Sequence, residues 1–230
     1  MKTGPYYVWY SLMANMAILL CFVPFLFLAW KKMRRDKAYW MVGIYWLVNG
    51  LINLPNLNTG LFGGSGNSPV QEKLNLIYNM LDTPLVLLLF FHATPSKRRK
   101  NRILLSLVVF TALEIVLVSW KGYTFSTSTM IIGAGLCLTL VCTVTGLMEY
   151  MRQMEHTAFE NSMVFVYAAL LFAYGSFTII YIFMHTHSGN LINIRDSFLL
   201  YYISLLLAAA ITCMGLWSYG FRRRYSSSSS

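Results

Sequence analysis

Apolar residues fill this chain in runs of about 20, the length a helix needs to cross the hydrocarbon core of a bilayer. Seven runs are legible, at 6–30, 38–55, 74–93, 103–120, 130–151, 163–184 and 198–221. Polar residues enter them at helical spacing. In 74–93, LNLIYNMLDTPLVLLLFFHA, Asn75, Tyr78, Asn79 and Asp82 fall at i, i+3, i+4 and i+7, one stripe on a helix, after which the run is wholly apolar. Asn49, Asn53 and Asn56 repeat that spacing at the end of the second run, and Tyr7, Ser11 and Asn15 recur every fourth residue in the first. Tyr167, Tyr174, Thr178, Tyr181 and His185 mark one face of the sixth run, Tyr201 and Tyr202 open the seventh, and Glu114 stands inside the fourth.

This pattern predicts an all-α, polytopic membrane protein, a seven-transmembrane-helix bundle. Of the 230 residues, 57% are hydrophobic and 11% charged, where soluble domains carry roughly 25% charged residues. Seven spans with short connections leave no room for a separate soluble domain, so residues 1–225 read as one domain and the serines at 226–230 as a disordered tail. The first run is too long for a signal peptide and is followed by no small-residue cleavage site, so it is expected to remain as a helix.

Charge sets the expected orientation. A net charge of +10 on a soluble surface would suggest nucleic acid, but here the basic residues sit directly beside apolar runs. The 18 lysines and arginines divide 14 to 4 between alternate ends of the spans, with only Lys2, Lys73, Lys121 and Arg195 on the sparse side. Under the positive-inside rule this places the N-terminus outside and the C-terminus inside a plasma or bacterial inner membrane, and no nucleic-acid partner is expected. Cys21, Cys137, Cys142 and Cys213 all lie in apolar runs and read as small buried residues. Gly133, Gly135 and Gly146 give the fifth run a small-residue surface suited to close helix packing.

An ionised Asp at a helix centre costs about 2.5 to 3.5 kcal/mol on insertion scales, so such residues usually face a bundle interior or a watery cavity. Asp82 is therefore the first candidate for function. Polar stripes on several helices at similar depth suggest one outward-facing cavity walled by Asn15, Asn49, Asn53, Asn79, Asp82, Glu114, Tyr174, Tyr181 and Tyr202. Asp82 and Glu114, both in outer halves, are expected to face it together. The alternative is that Asp82 only bonds neighbouring asparagines and holds helices in register.

Phosphate-loop, dinucleotide, zinc-helix and nucleophile-elbow motifs are absent, so no catalytic residues are assigned. His185 and His187 have no third ligand nearby, and no metal site is assigned. Thr83-Pro84-Leu85 followed by Val86, Leu87 and Leu88 resembles the T-P-L-L-L-L segment in the third helix of microbial rhodopsins, whose seven-helix, N-out topology also matches. The resemblance implies bound retinal and light-driven proton movement. The seventh run has neither the Asp nor the Schiff-base Lys that the family uses, and no other span has a mid-span lysine, so covalent retinal and other cofactors are not expected. Such a member would put its cavity to another use.

The function expected from these features is that of a receptor or sensor-like protein binding a small molecule, with the bilayer around it and a cytoplasmic effector as a possible partner. A proton-coupled secondary transporter using Asp82 and Glu114 is the alternative, and a lipid-modifying membrane enzyme the third.

Overall fold

Polar punctuation decides where the helices begin and end. The computed structural model describes residues 5–31, 36–54, 69–186 and 191–227; among them are seven α-helices and no strand. These are α1 (Pro5–Trp30), α2 (Lys37–Asn53), α3 (Pro69–Ala93), α4 (Lys97–Lys121), α5 (Phe125–Arg152), α6 (Ala158–Thr186) and α7 (Leu191–Ser227). Pro95 separates α3 from α4, since the residue before a proline disfavours the helical conformation. Gly122, at φ 68°, breaks α4 from α5 in a left-handed conformation that glycine adopts without strain. Thr124 then starts α5 by accepting the Thr127 backbone N–H at 3.3 Å. A reciprocal cap starts α6: the Glu160 N–H donates to Thr157 Oγ1 at 3.2 Å, and the Thr157 N–H to Glu160 Oε2 at 2.8 Å.

Several helices outrun the apolar stretches. α4 begins at Lys97 rather than 103, α5 at Phe125 rather than 130, and α6 at Ala158 rather than 163. Hydropathy marks the part of a helix in hydrocarbon, whereas caps and prolines set its true ends. α7 likewise takes in Ser226 and Ser227 of the serine tail expected to be disordered. Residues 228–230, Asn56 and His187 lie outside the described residues, as do the side chains of Tyr7, Asn75 and His185.

Six of the described helices are long and apolar enough to cross a membrane; α2, at 17 residues, is the exception. Their outward faces carry large apolar side chains, with Leu105 65% and Val116 59% exposed on α4. Such a surface would aggregate in water but matches lipid tails. Exposed tryptophans mark both ends, Trp9 and Trp120 at one and Trp30 and Trp217 at the other, as in interfacial aromatic belts. The make-up is that of a multi-pass membrane protein. Of the cysteines, Cys21 is buried, but Cys137 is exposed on the outer face of α5, contrary to the expectation that all four are buried.

α1 packs on α2 and α7, α2 on α3, α3 on α5, α5 on α6, and α6 on α7, so six helices close a ring. α4 leans on α3 and α5 from outside. Its only buried side chains, Ile103, Phe110 and Glu114, form the stripe that makes this contact. α6 and α7 pack tightly at Gly215, where an added Cβ would lie 2.6 Å from the Phe165 Cβ and 2.9 Å from the Ser162 carbonyl oxygen. Ser162 Oγ donates to the Gly215 carbonyl at 2.8 Å and fastens the pair. At the basic end an Arg99–Glu149 ion pair ties the start of α4 to the end of α5.

Candidate functional site

Between α3, α5, α6 and α7 the ring encloses a cavity of about 610 Å³, within the size range of small-molecule sites. α3 contributes Tyr78, Asn79, Asp82 and Thr83; α5 contributes Ser128, Thr129, Ile132 and Leu136. α6 adds Tyr174, Phe177, Ile180 and Tyr181, and α7 adds Tyr201. They lie toward the ends of their helices nearest the α2–α3, α4–α5 and α6–α7 connections, the end poor in basic residues, with Asp82 and Thr83 deepest, just past the midpoint of α3. No lysine, arginine or histidine is among these lining residues.

Asp82 lies at the junction of a hydrogen-bonded network. Its Oδ2 accepts from the Tyr174 hydroxyl at 2.7 Å, and Tyr45 on α2 donates to that hydroxyl at 3.4 Å. Oδ1 is buried and has no hydrogen-bond partner among the described residues. Tyr78, beside Asp82, donates its hydroxyl to Asn49 Oδ1 at 2.7 Å. Asn53 Nδ2 donates to the Asn49 carbonyl at 2.9 Å. Across the mouth, Asn79 Nδ2 donates to the Tyr123 hydroxyl at 3.3 Å, and that oxygen lies 3.1 Å from Ser128 Oγ. Tyr181 donates to the Thr129 carbonyl at 3.0 Å.

Of the residues singled out in the sequence, Asp82, Asn79, Tyr174 and Tyr181 come together on the cavity wall. Asn49 and Asn53 do not line it. Both are buried behind it on α2, where Asn49 anchors Tyr78. Asn15 is half-buried on α1, also away from the lining. Tyr202 is buried in the ring while its neighbour Tyr201 faces the cavity, because one residue turns a helix by about 100°.

Glu114 is buried on α4 with Oε1 unpartnered, yet it is absent from the lining. The expectation that Asp82 and Glu114 share a cavity does not hold, because α3 and α5 touch each other and stand between α4 and the space. Sequence reasoning missed the contribution of α5. Thr124-Phe-Ser-Thr127 reads as loop by hydropathy, but a threonine three residues ahead of another hydroxyl residue is a cap signal that would have brought Ser128 and Thr129 onto a helix.

Beneath the cavity the ring is closed. Val86, Leu87, Leu89 and Phe90 on α3, Val166, Ala169, Leu170 and Ala173 on α6, and Leu205, Ala208 and Ala209 on α7 are fully or almost fully buried. The Phe90 and Tyr167 rings pack at 5.5 Å. A second space of only about 30 Å³ lies on the far side of this plug, bounded by Arg99, Glu149 and Tyr167. From Tyr174 to Tyr167 is seven residues, about 10 Å of packed helix between the two. Among the described residues no group of three or more His, Cys, Asp or Glu could hold a metal ion. Compared with protein-family models, curated proteins and solved structures, the chain finds no match.

Proposed function

We propose that this protein is a seven-span membrane receptor or sensor-like protein that binds a small molecule in the α3–α5–α6–α7 cavity, open toward the outside. The observation that carries the reading is the one-sided cavity: a polar, aromatic-walled space in one half of the bundle above an apolar plug. A transporter needs a route on both sides, and the plug offers none in this conformation. α2 is the seventh span. It packs between α1 and α3, both long enough to cross, and its Asn49 and Asn53 are hydrogen-bonded inside the ring. The N-terminus then lies outside and the basic ends of α4 and α7 inside, where an effector would dock.

A thermal-shift panel of small amphipathic molecules on the protein in lipid nanodiscs tests this reading. Saturating binders stabilise by about 2.7 kcal/mol at a hundred times their Kd. Filling the space with Leu136→Trp removes that stabilisation, while Leu105→Trp on the lipid face leaves it intact. Hits that stabilise both variants equally would place binding elsewhere and sink the proposal. Proton-coupled uptake into liposomes, lost in Asp82→Asn, would instead select the transporter reading.

A further inference from the structure

Three of the four tyrosines in the lining have their hydroxyl protons already committed. Tyr174 commits its O–H to Asp82, Tyr78 to Asn49 and Tyr181 to the Thr129 carbonyl. What these side chains still offer the cavity is oxygen lone pairs and ring faces. The one charged side chain in the lining is the carboxylate of Asp82, whose Oδ2 accepts from Tyr174 while the buried Oδ1 has no hydrogen-bond partner among the described residues. No basic residue faces it within the cavity. A carboxylate in a low-dielectric bundle is stable when a cation pairs with it, and here the protein provides none at that spot.

Aromatic rings crowd the same space. Phe177 stacks on Tyr201 at 4.9 Å and meets Tyr174 edge-on at 5.8 Å, so three rings from two helices share one wall with Asp82. Ring faces attract cations by their quadrupole, most strongly when the pair is desolvated. Ile132, Leu136 and Ile180 make the remaining surface apolar. From this juxtaposition we infer that the cavity selects an organic ammonium on an apolar or aromatic body, its charge paired with Asp82 and set against the tyrosine and phenylalanine rings. The inference rests on the binding reading above and specifies its ligand class. Carboxylates and phosphates are excluded by the same lining, since they would meet a carboxylate and no cation.

Three matched probes decide it: phenethylammonium, its neutral isostere phenethyl alcohol, and the anion hydrocinnamate, titrated calorimetrically onto the protein in nanodiscs of neutral lipid. The expected result is saturable binding of the ammonium, with the alcohol weaker by about tenfold or more and no binding of the anion. Asp82→Asn abolishes the preference for the ammonium and leaves the alcohol where it was. Should that variant not fold, Phe177→Leu removes a ring and is read the same way: the ammonium weakens and the alcohol does not. An alcohol that binds as tightly as the ammonium, and is lost in Leu136→Trp, overturns the ammonium inference while the cavity reading stands. No binding by any probe also overturns it, and the panel above then decides the cavity reading separately.

Discussion

At the scale of single residues, the arrangement turns on how Asp82 is held. Tyr174 is the donor to its carboxylate and is itself fully buried. Tyr174→Phe keeps the ring and removes the O–H that Oδ2 accepts, and it takes from Tyr45 the hydroxyl to which it donates. Losing a hydrogen bond to a charged group costs about 1.5 to 3 kcal/mol, so the variant is expected to melt several degrees lower in nanodiscs; an unchanged Tm would contradict the network. The sequence made part of this legible. Helical spacing alone put Asn79 and Asp82 on one face and Tyr174 and Tyr181 on another, and both faces meet the cavity. It did not show that Asn49 holds Tyr78, or that Tyr201 rather than Tyr202 faces inward. Both depend on the rotation of each helix about its axis, which neighbouring helices set.

At the scale of elements, apolar run length identified the helices while the caps and breakers fixed their ends. The position of α4 was not legible. Its sequence carries a buried acid and an apolar stripe like the others, but nothing local reports that α3 and α5 pack together and leave α4 outside the ring. α2 poses the opposite problem, since 17 residues span about 25 Å, slightly less than the hydrocarbon core. Its crossing is tested with single cysteines at its two ends and a membrane-impermeant thiol reagent on intact cells. Leu54→Cys is expected to react without permeabilisation and Asp36→Cys only after it. Reaction of both from the same side would reduce the bundle to six spans.

For the whole molecule, one half is an open polar and aromatic chamber and the other a sealed apolar plug with a basic rim. That asymmetry follows from where α3 changes character: its polar lining residues, Tyr78, Asn79, Asp82 and Thr83, end just past the midpoint, and beyond them Val86, Leu87, Leu89 and Phe90 are buried. The division of α3 was visible in the sequence. Which other helices would complete the chamber was not, because closure of the ring depends on contacts between residues far apart in the chain. The central claim is that this chamber is reached from outside, and cysteine labelling tests it most directly. In a background with the four native cysteines replaced by alanine, Ile132→Cys and Glu114→Cys are exposed separately to an impermeant cationic thiosulfonate on intact cells. The account predicts that Ile132→Cys reacts from outside and is slowed by a cavity ligand, while Glu114→Cys does not react. Modification of Ile132→Cys only from the cytoplasmic side, or equal reaction at both positions, would contradict it.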